Sequence, residues 1–247
     1  MATVADTAYS IAVVRAEEKE LFEDPFARHF RPTDPEVVAA TKRYLDLPLF
    51  KEGIRLRTRY IDDALKDALK AGISQIVILG AGFDMRAMRM KECAKKGVTT
   101  FEVDLPSQLE RKKKILEAAG VEVAKNVAYV PIDFNADAAD AWEAKLVDHG
   151  FKVGKGAVFI WEGVIGYIDD AMIEKTLRFM AKVGGKNTRV IFTSGADAFD
   201  PDTAEERTAR FGFSACEEIG LDDAWRYYLG TEPPPYLDVS TVCVART

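Results

Sequence analysis

Short runs of apolar residues recur between positions 75 and 193, and longer amphipathic stretches separate them. The runs predict β-strands over 75–79, 99–103, 127–132, 157–161 and 189–193. The stretches between them have helical spacing, over 84–95, 107–119, 137–149 and 170–183. Because strands that alternate with helices build a parallel sheet covered on both faces, the pattern predicts an α/β fold with a mostly parallel, twisted sheet.

The N-terminal part of the chain has a less regular pattern. Residues 7–50 carry apolar clusters that prolines interrupt, with no core of their own. Residues 54–71 then have the spacing of one amphipathic helix. We therefore expect a single domain over 1–247, in which a helical cap or lid (1–53) covers an α/β core (54–247).

Composition narrows the class of protein. With 48% hydrophobic and 30% charged residues, the 247-residue chain is typical of a globular protein, and its net charge of −6 argues against nucleic acid as a partner. It has two histidines and three widely spaced cysteines, so we expect neither a metal site nor a disulfide framework. No apolar run is long enough to span a membrane and no signal peptide is evident, so we expect a soluble, cytoplasmic protein.

The first strand run breaks into Gly80-Ala81-Gly82, and the next ends in Asp104. Glycines let the backbone approach a ligand closely, because no Cβ stands in the way. An acid about 20 residues further on, at the end of the next parallel strand, is placed to accept hydrogen bonds from ribose hydroxyls. The pair therefore predicts a site for a cofactor that contains adenosine.

The residues after the glycines indicate which cofactor this is. A dinucleotide site favours a third glycine and a free helix N-terminus for the pyrophosphate, but Met85 occupies that glycine position and Asp84 lies beside it. A carboxylate there would repel a pyrophosphate by several kcal/mol, on the order expected for close charges. S-adenosylmethionine (SAM) has no phosphate and carries a sulfonium and an ammonium, so the motif favours SAM over NAD(P).

Two further predicted strands are followed by acids, Asp133 and Glu162. In an open parallel sheet, ligands bind at the carboxyl ends of the strands, where both acids would lie. For Asp133, helix capping and ligand contact remain open alternatives. Glu162 lies between Trp161 and Gly163, and an acid in such apolar surroundings favours a binding role.

Several motifs between residues 7 and 170 occur together and in a characteristic order. They are Thr7-Ala8, Arg15-Ala16, Leu21-Phe22-Glu23-Asp24-Pro25-Phe26-Ala27, Arg57-Thr58-Arg59-Tyr60-Ile61-Asp62-Asp63, Leu79-Gly80-Ala81-Gly82-Phe83-Asp84-Met85-Arg86, Phe101-Glu102-Val103-Asp104-Leu105-Pro106 and Glu162-Gly163-Val164-Ile165-Gly166-Tyr167. With these motifs the sequence resembles the SAM-dependent leucine carboxyl methyltransferase-like family, in its bacterial branch. The resemblance implies a Rossmann-like class I methyltransferase fold whose seventh strand runs antiparallel.

The resemblance also implies roles for particular residues in binding SAM. Arg57 would pair with the SAM carboxylate, with Arg59 as the alternative, and Glu162 would face the ammonium. The methionine part would lie along the glycines, the ribose would bind Asp104, and the adenine would contact Asp133 and Phe134. The full predicted cofactor site is Arg57, Gly80, Ala81, Gly82, Asp104, Leu105, Asp133, Phe134 and Glu162.

The sequence departs from the family pattern mainly after Thr193. There the chain is short and matches poorly; a last strand is predicted over 239–245, and 210–214 is the one candidate for a strand before it. This region and the cap would form the acceptor pocket. Tyr167 and Trp225 are candidates for its walls, although ordinary packing is the favoured explanation for both.

The most favoured function is a SAM-dependent O-methyltransferase that acts on a carboxylate or hydroxyl of a small molecule. An NAD(P)-dependent oxidoreductase and a non-catalytic SAM-binding protein are the alternatives. No residue is singled out as catalytic. The identity of the methyl acceptor and the oligomeric state also stay open at this stage.

Overall fold

The computed structural model describes residues 4–134, 136–195, 198–235 and 240–247, and their strands form one seven-stranded sheet. The strands are β1 (Gln75–Leu79), β2 (Thr99–Asp104), β3 (Val127–Pro131), β4 (Val158–Trp161), β5 (Arg189–Gly195), β6 (Ala215–Gly220) and β7 (Ser240–Arg246). Their order across the sheet is β3-β2-β1-β4-β5-β7-β6. Strands β1 to β5 pair in parallel, whereas β7 is antiparallel to both of its neighbours, so the predicted fold is confirmed.

The central strand β1 shows why the apolar runs form this sheet. All five of its residues are buried. Because successive side chains point to opposite faces, Val77 and Leu79 join one core cluster, while Ile76 and Ile78 join another on the opposite face of the sheet. A strand buried on both faces has to be apolar throughout, as the sequence is here.

Helices cover both faces of the sheet. They are α1 (Val4–Glu17), α2 (Pro35–Leu45), α3 (Phe50–Lys70), α4 (Arg86–Arg89), α5 (Pro106–Ala118), α6 (Ala139–Asp148), α7 (Asp170–Gly184), α8 (Ala204–Ala209) and α9 (Leu221–Leu229). Helices α3, α5, α6 and α7 lie close to their predicted ranges. None of the described helices has both the length and the apolar character that crossing a membrane requires.

The predicted helix over 84–95 is wrong in its extent, because α4 covers only Arg86–Arg89. Met90 has an extended backbone, and the chain then continues through turns, in which the Cys93 amide donates to the Met90 carbonyl at 3.0 Å. Met90 and Cys93 are both buried in the same core cluster. A three-residue apolar spacing is satisfied by successive turns as well as by a helix, so the pattern did not distinguish them.

The N-terminal segment is helical, with α1, a short 3-10 helix over Ala27–Phe30, and α2. Asp34 caps α2 by accepting from the Glu36 and Val37 amides at 2.9 and 3.2 Å. The Phe30 ring stacks on Phe83, in the loop after β1, with 4.5 Å between centroids. This segment therefore contacts the loop that carries the predicted glycine motif.

The C-terminal part differs most from the sequence prediction. A strand at 210–214 is wrong: the strand before β7 is β6, at Ala215–Gly220. Strand β6 pairs only with β7 and is largely exposed, so it tolerates Glu217 and Glu218 and has no apolar run to reveal it. Strand β7 agrees with the predicted 239–245, except that Val239 lies outside the described residues.

Candidate functional site

A cavity of about 280 Å³ lies at the carboxyl ends of β1, β2, β3 and β4. The parallel strands end together at this edge, which brings residues distant in sequence into one site. All the residues predicted for the cofactor site line it: Arg57, Gly80, Ala81, Gly82, Asp104, Leu105, Asp133, Phe134 and Glu162. The cavity thus collects the whole predicted set in a single place.

The loop after β1 depends on glycine at two positions. Gly80 and Gly82 have φ angles of +69° and +47°, in the left-handed region that side chains other than glycine rarely adopt. A Cβ at Gly80 would also lie only 2.7 Å from the Cγ2 atom of Val164, too close for any side chain there. Glycine therefore both permits the turn and leaves backbone accessible to a ligand.

The Asp104 carboxylate is fixed by the backbone around it. Its Oδ2 atom accepts from the Gly82 amide and its Oδ1 atom from the Leu105 amide, both at 2.7 Å. Burial raises the pKa of Asp104, and these two hydrogen bonds oppose the rise. A carboxylate has about four lone-pair sites, so Asp104 still has acceptor capacity for a ligand.

Three guanidinium groups surround Glu162. The Arg15 Nη2 atom donates to both of its carboxylate oxygens at 2.8 Å, the Arg57 Nε atom donates at 2.9 Å and the Arg86 Nη1 atom at 2.7 Å. Burial alone would raise the pKa of Glu162, but the positive charges of Arg15, Arg86 and Arg57 outweigh it and hold that pKa well below its usual range. Glu162 is therefore a fixed anion in the cavity wall.

Arg57 is the member of its helical motif that faces the cavity. Its neighbours on α3 are engaged elsewhere: Arg55 donates to Glu20 at 2.8 Å, and Arg59 donates to Asp63 at 2.9 Å. Within the described residues, the hydrogen bonds of the Arg57 guanidinium involve only its Nε atom. Its outer edge, with the Nη1 and Nη2 groups, is thus available to a carboxylate from the cavity.

Asp133 and Phe134 form the wall beyond β3. The Asp133 Oδ1 atom accepts from the Ala136 amide at 3.2 Å, and the Phe134 ring meets Trp142 edge-to-face with 4.9 Å between centroids. The N-cap of α6 is Ala138, so Asp133 shapes the turn before this helix and does not cap it. Both residues remain exposed to the cavity at their other faces.

Sequence reasoning missed most of the charge network behind the cavity. Arg86 is almost fully buried, its side chain 1% exposed, and it contacts the carboxylates of Asp62, Asp84 and Glu162. Arg15 and Arg86 were noted only as positions within motifs. The network joins helices α1 and α3, the loop after β1 and strand β4, and no local spacing in the sequence connects such distant elements.

Two further segments contribute mostly apolar side chains to the cavity walls. Helix α1 and the segment after β4 contribute Thr7, Ala8, Ile11, Ala12, Val164, Tyr167 and Ile168. Tyr167 is therefore a wall residue, whereas Trp225 packs in a separate cluster with Leu21 and Leu56. Within the described part of the chain, no group of three or more His, Cys, Asp or Glu side chains is arranged to hold a metal ion.

Comparison with known proteins gives consistent results. A sequence model of the leucine carboxyl methyltransferase family matches residues 3–181. Curated relatives whose names describe SAM-dependent methyltransferases include proteins from Mycolicibacterium gilvum (29% identical, 83% of this chain and 64% of the relative), Mycolicibacterium smegmatis (31%, 90% and 67%) and Streptomyces coelicolor (32%, 77% and 69%). The chain therefore spans about two thirds of the length of these relatives.

Solved structures resemble the fold over nearly the whole chain. A methyltransferase-like protein from Thermobifida fusca has a TM-score of 0.65 at 14% identity, with 99% of this chain and 94% of that one covered. Magnesium protoporphyrin IX methyltransferase from Synechocystis, solved with bound SAM, has a TM-score of 0.51 at 11% identity, with 100% and 99% covered. At such identities the likeness concerns the fold alone, which is that of class I methyltransferases.

Proposed function

This chain belongs to the leucine carboxyl methyltransferase family, and from that premise we propose that it transfers a methyl group from SAM to a carboxylate or hydroxyl oxygen of a small molecule. The observation that carries the proposal is the cavity in which the glycine loop, Asp104, Glu162 and the outer edge of Arg57 converge. Each of these features has a counterpart in the chemistry of SAM.

The residues of the cavity fit SAM group by group. The outer edge of Arg57 suits the carboxylate of the cofactor, because a guanidinium binds a carboxylate through paired, charge-assisted hydrogen bonds. Glu162 is assigned to the ammonium by its negative charge alone, because four guanidinium hydrogen bonds already occupy its lone pairs. The backbone of Gly80, Ala81 and Gly82 lines the cavity and suits the methionine part, and Asp104 has acceptor capacity for the ribose hydroxyls.

The adenine end of the proposed site lies between two strands. Leu105 follows β2, and Asp133 and Phe134 follow β3. The leucine and phenylalanine side chains offer apolar contacts to a purine, and the carboxylate of Asp133 is an acceptor for its amino group. These assignments are proposals for each residue, and they rest on position and on chemistry.

When bound, SAM supplies a methyl group on a positively charged sulfur that an acceptor oxygen can attack directly. The chain then needs to hold the reactants in line and to exclude water, and such positioning is worth on the order of 7–11 kcal/mol of the barrier. The apolar walls from α1 and the segment after β4 are suited to both tasks.

Neither histidine lines the cavity. His29 lies beside a separate cavity under α2, and the His149 ring bonds the Lys145 carbonyl at the end of α6. A carboxylate acceptor is ionised at neutral pH and needs no general base, whereas a hydroxyl acceptor does. The described walls therefore favour an acceptor that needs little activation.

We further propose that α1 and the segments after it act as a lid. Helix α1 contributes Thr7, Ala8 and Ile11 to the cavity wall, so its closure over a ligand would exclude water. Hydrogen exchange over 4–17 should slow when S-adenosylhomocysteine (SAH) is added, while 75–79 should be protected already. If the exchange rate over 4–17 did not change when SAH is added, the segment would have only a structural role.

The alternatives are less well supported. Met85 stands where a dinucleotide site has its third glycine, and helix α4, which follows, is only four residues long; both features disfavour an NAD(P)-dependent oxidoreductase. A non-catalytic SAM-binding protein remains a distinct hypothesis. It would share the whole cofactor site and differ only in lacking an acceptor site.

Release of the labelled methyl group tests the proposal. The full chain is incubated with methyl-labelled SAM and a panel of small carboxylic acids and phenols, and labelled product is extracted. We expect transfer to at least one acceptor, and we expect the Asp104→Ala variant to lose it. SAH binding without transfer to any acceptor would favour the non-catalytic hypothesis.

A further inference from the structure

A fully buried ion pair lies beneath the glycine loop. Lys112 of α5 and Glu102 of β2 have side chains that are 0% and 1% exposed, and the Lys112 Nζ atom lies 2.6 Å from the Glu102 Oε2 atom. Lys112 also donates to the backbone carbonyl of Asp84. Neither charged side chain lines the cavity, so the proposed chemistry does not use either of them directly.

Such a pair needs an explanation, because removing two charges from water costs more than packing two apolar side chains of similar size. The hydrogen bond from Lys112 to the Asp84 carbonyl supplies this explanation. It reaches the main chain of the loop that begins at Gly80, and the same loop is held from the other side by the bond between the Gly82 amide and Asp104. The Val103 carbonyl also accepts from the Gly80 and Ala81 amides at 2.9 and 3.0 Å, so strand β2 holds the start of the loop and the buried lysine holds its end at Asp84.

We propose that the Lys112–Glu102 pair is a positioning element of the cofactor site: it holds the Asp84 carbonyl and thereby sets the backbone path of residues 80–84. Glu102 fixes the lysine from β2, two residues before Asp104 on the same strand. This proposal rests on the proposed function, because the loop is the part of the cavity assigned to the methionine end of SAM.

The test is a double variant, Lys112→Met with Glu102→Leu, which removes both charges together and leaves no unpaired buried charge. Its affinity for SAH is measured by calorimetry, beside that for 5′-methylthioadenosine, which lacks the amino-acid end. A displaced loop should weaken SAH binding about ten- to a hundredfold. Binding of 5′-methylthioadenosine should change less than threefold. Lys114→Met, on the exposed side of the same helix, is the matched control and should bind both as the unaltered chain does.

Unchanged SAH affinity in the folded double variant would overturn the proposal, and so would an equal loss for the two ligands, which a merely structural role predicts. If the double variant does not fold, Glu102→Gln keeps the shape of the pair while weakening it. That variant should lose SAH affinity severalfold, and no loss would overturn the proposal. Failure of the unaltered chain to bind SAH would instead contradict the proposed function itself.

Discussion

Two arginines beside the proposed cofactor site, Arg86 and Arg89, are paired inside the protein, whereas two near the C-terminus, Arg226 and Arg246, are paired at its surface. The side chains of Arg86 and Arg89 are 1% and 4% exposed, and their carboxylate partners are equally buried. By contrast, Arg226 and Arg246 are 44% and 33% exposed and pair with acids of their own helix or of the neighbouring edge strand.

The exposed and the buried ion pairs differ in their desolvation cost and in their contribution to stability. Exposed ion pairs contribute about 0–1 kcal/mol, because water screens them. Buried pairs carry a large desolvation cost, and they persist where fixed charges are useful. The buried group adjoins the proposed cofactor site and lies within residues 3–181, which the family model matches, while the surface group lies beyond them. Among these four arginines, the two that adjoin the proposed site are therefore the two whose charges are buried.

The largest expected effect concerns stability. Arg86→Leu should lower the free energy of unfolding by about 3–5 kcal/mol, because it removes a buried guanidinium that contacts the carboxylates of Asp62, Asp84 and Glu162. The matched change Arg226→Leu should lower it by about 0–1 kcal/mol. Urea denaturation followed by circular dichroism measures both. Equal effects of the two changes would remove the contrast between the buried and exposed groups.

The next effect concerns cofactor binding. Asp104→Ala should weaken SAH binding by roughly 1.5–3 kcal/mol, the loss expected when hydrogen bonds to a charged group are removed. Asp140→Ala is the control, since the Asp140 side chain is 97% exposed on α6 and should not affect the ligand. Calorimetry measures affinity and a melting curve verifies folding. Unchanged affinity in a folded Asp104→Ala variant would exclude this residue from the site.

The smallest expected effect is on SAH affinity, and it distinguishes Arg57 from the neighbouring arginines of α3. Arg57→Ala should weaken SAH binding about tenfold, at the lower end for a charged hydrogen bond, because the Arg57 side chain is still 17% exposed. Arg55→Ala should change the affinity less than twofold, since Arg55 pairs with Glu18 and Glu20 away from the cavity. A loss confined to Arg59→Ala would mean that the wrong face of the helix has been assigned to the cofactor.

Most of the sheet was predictable from the sequence, but the edge strand β6 was not. Strand β1 matches the predicted 75–79, because a strand buried on both faces is a continuous apolar run. Strand β6 and helix α9 escaped prediction. Glu217 and Glu218 lie on an exposed edge strand, where no core dictates apolar residues, and a strand of that kind leaves no regular pattern.

The site was predictable where it depends on strand ends, and not where it depends on long-range charge pairing. Gly82, Asp104 and Glu162 each follow a recognisable strand, so the topology of a parallel sheet brings them together. Arg15 is far from Glu162 in sequence, and its role in the cavity wall follows from the packing of α1 alone. Sequence spacing carries no information about such a contact.

The most direct measurement is a calorimetric titration of the full chain with SAH and, separately, with NAD and NADP. We predict that SAH forms a 1:1 complex that Asp104→Ala weakens, and that neither dinucleotide binds, because Met85 replaces the third glycine of a dinucleotide site and the helix after it is only four residues long. Binding of NAD or NADP without binding of SAH would contradict the assignment of the cavity to SAM.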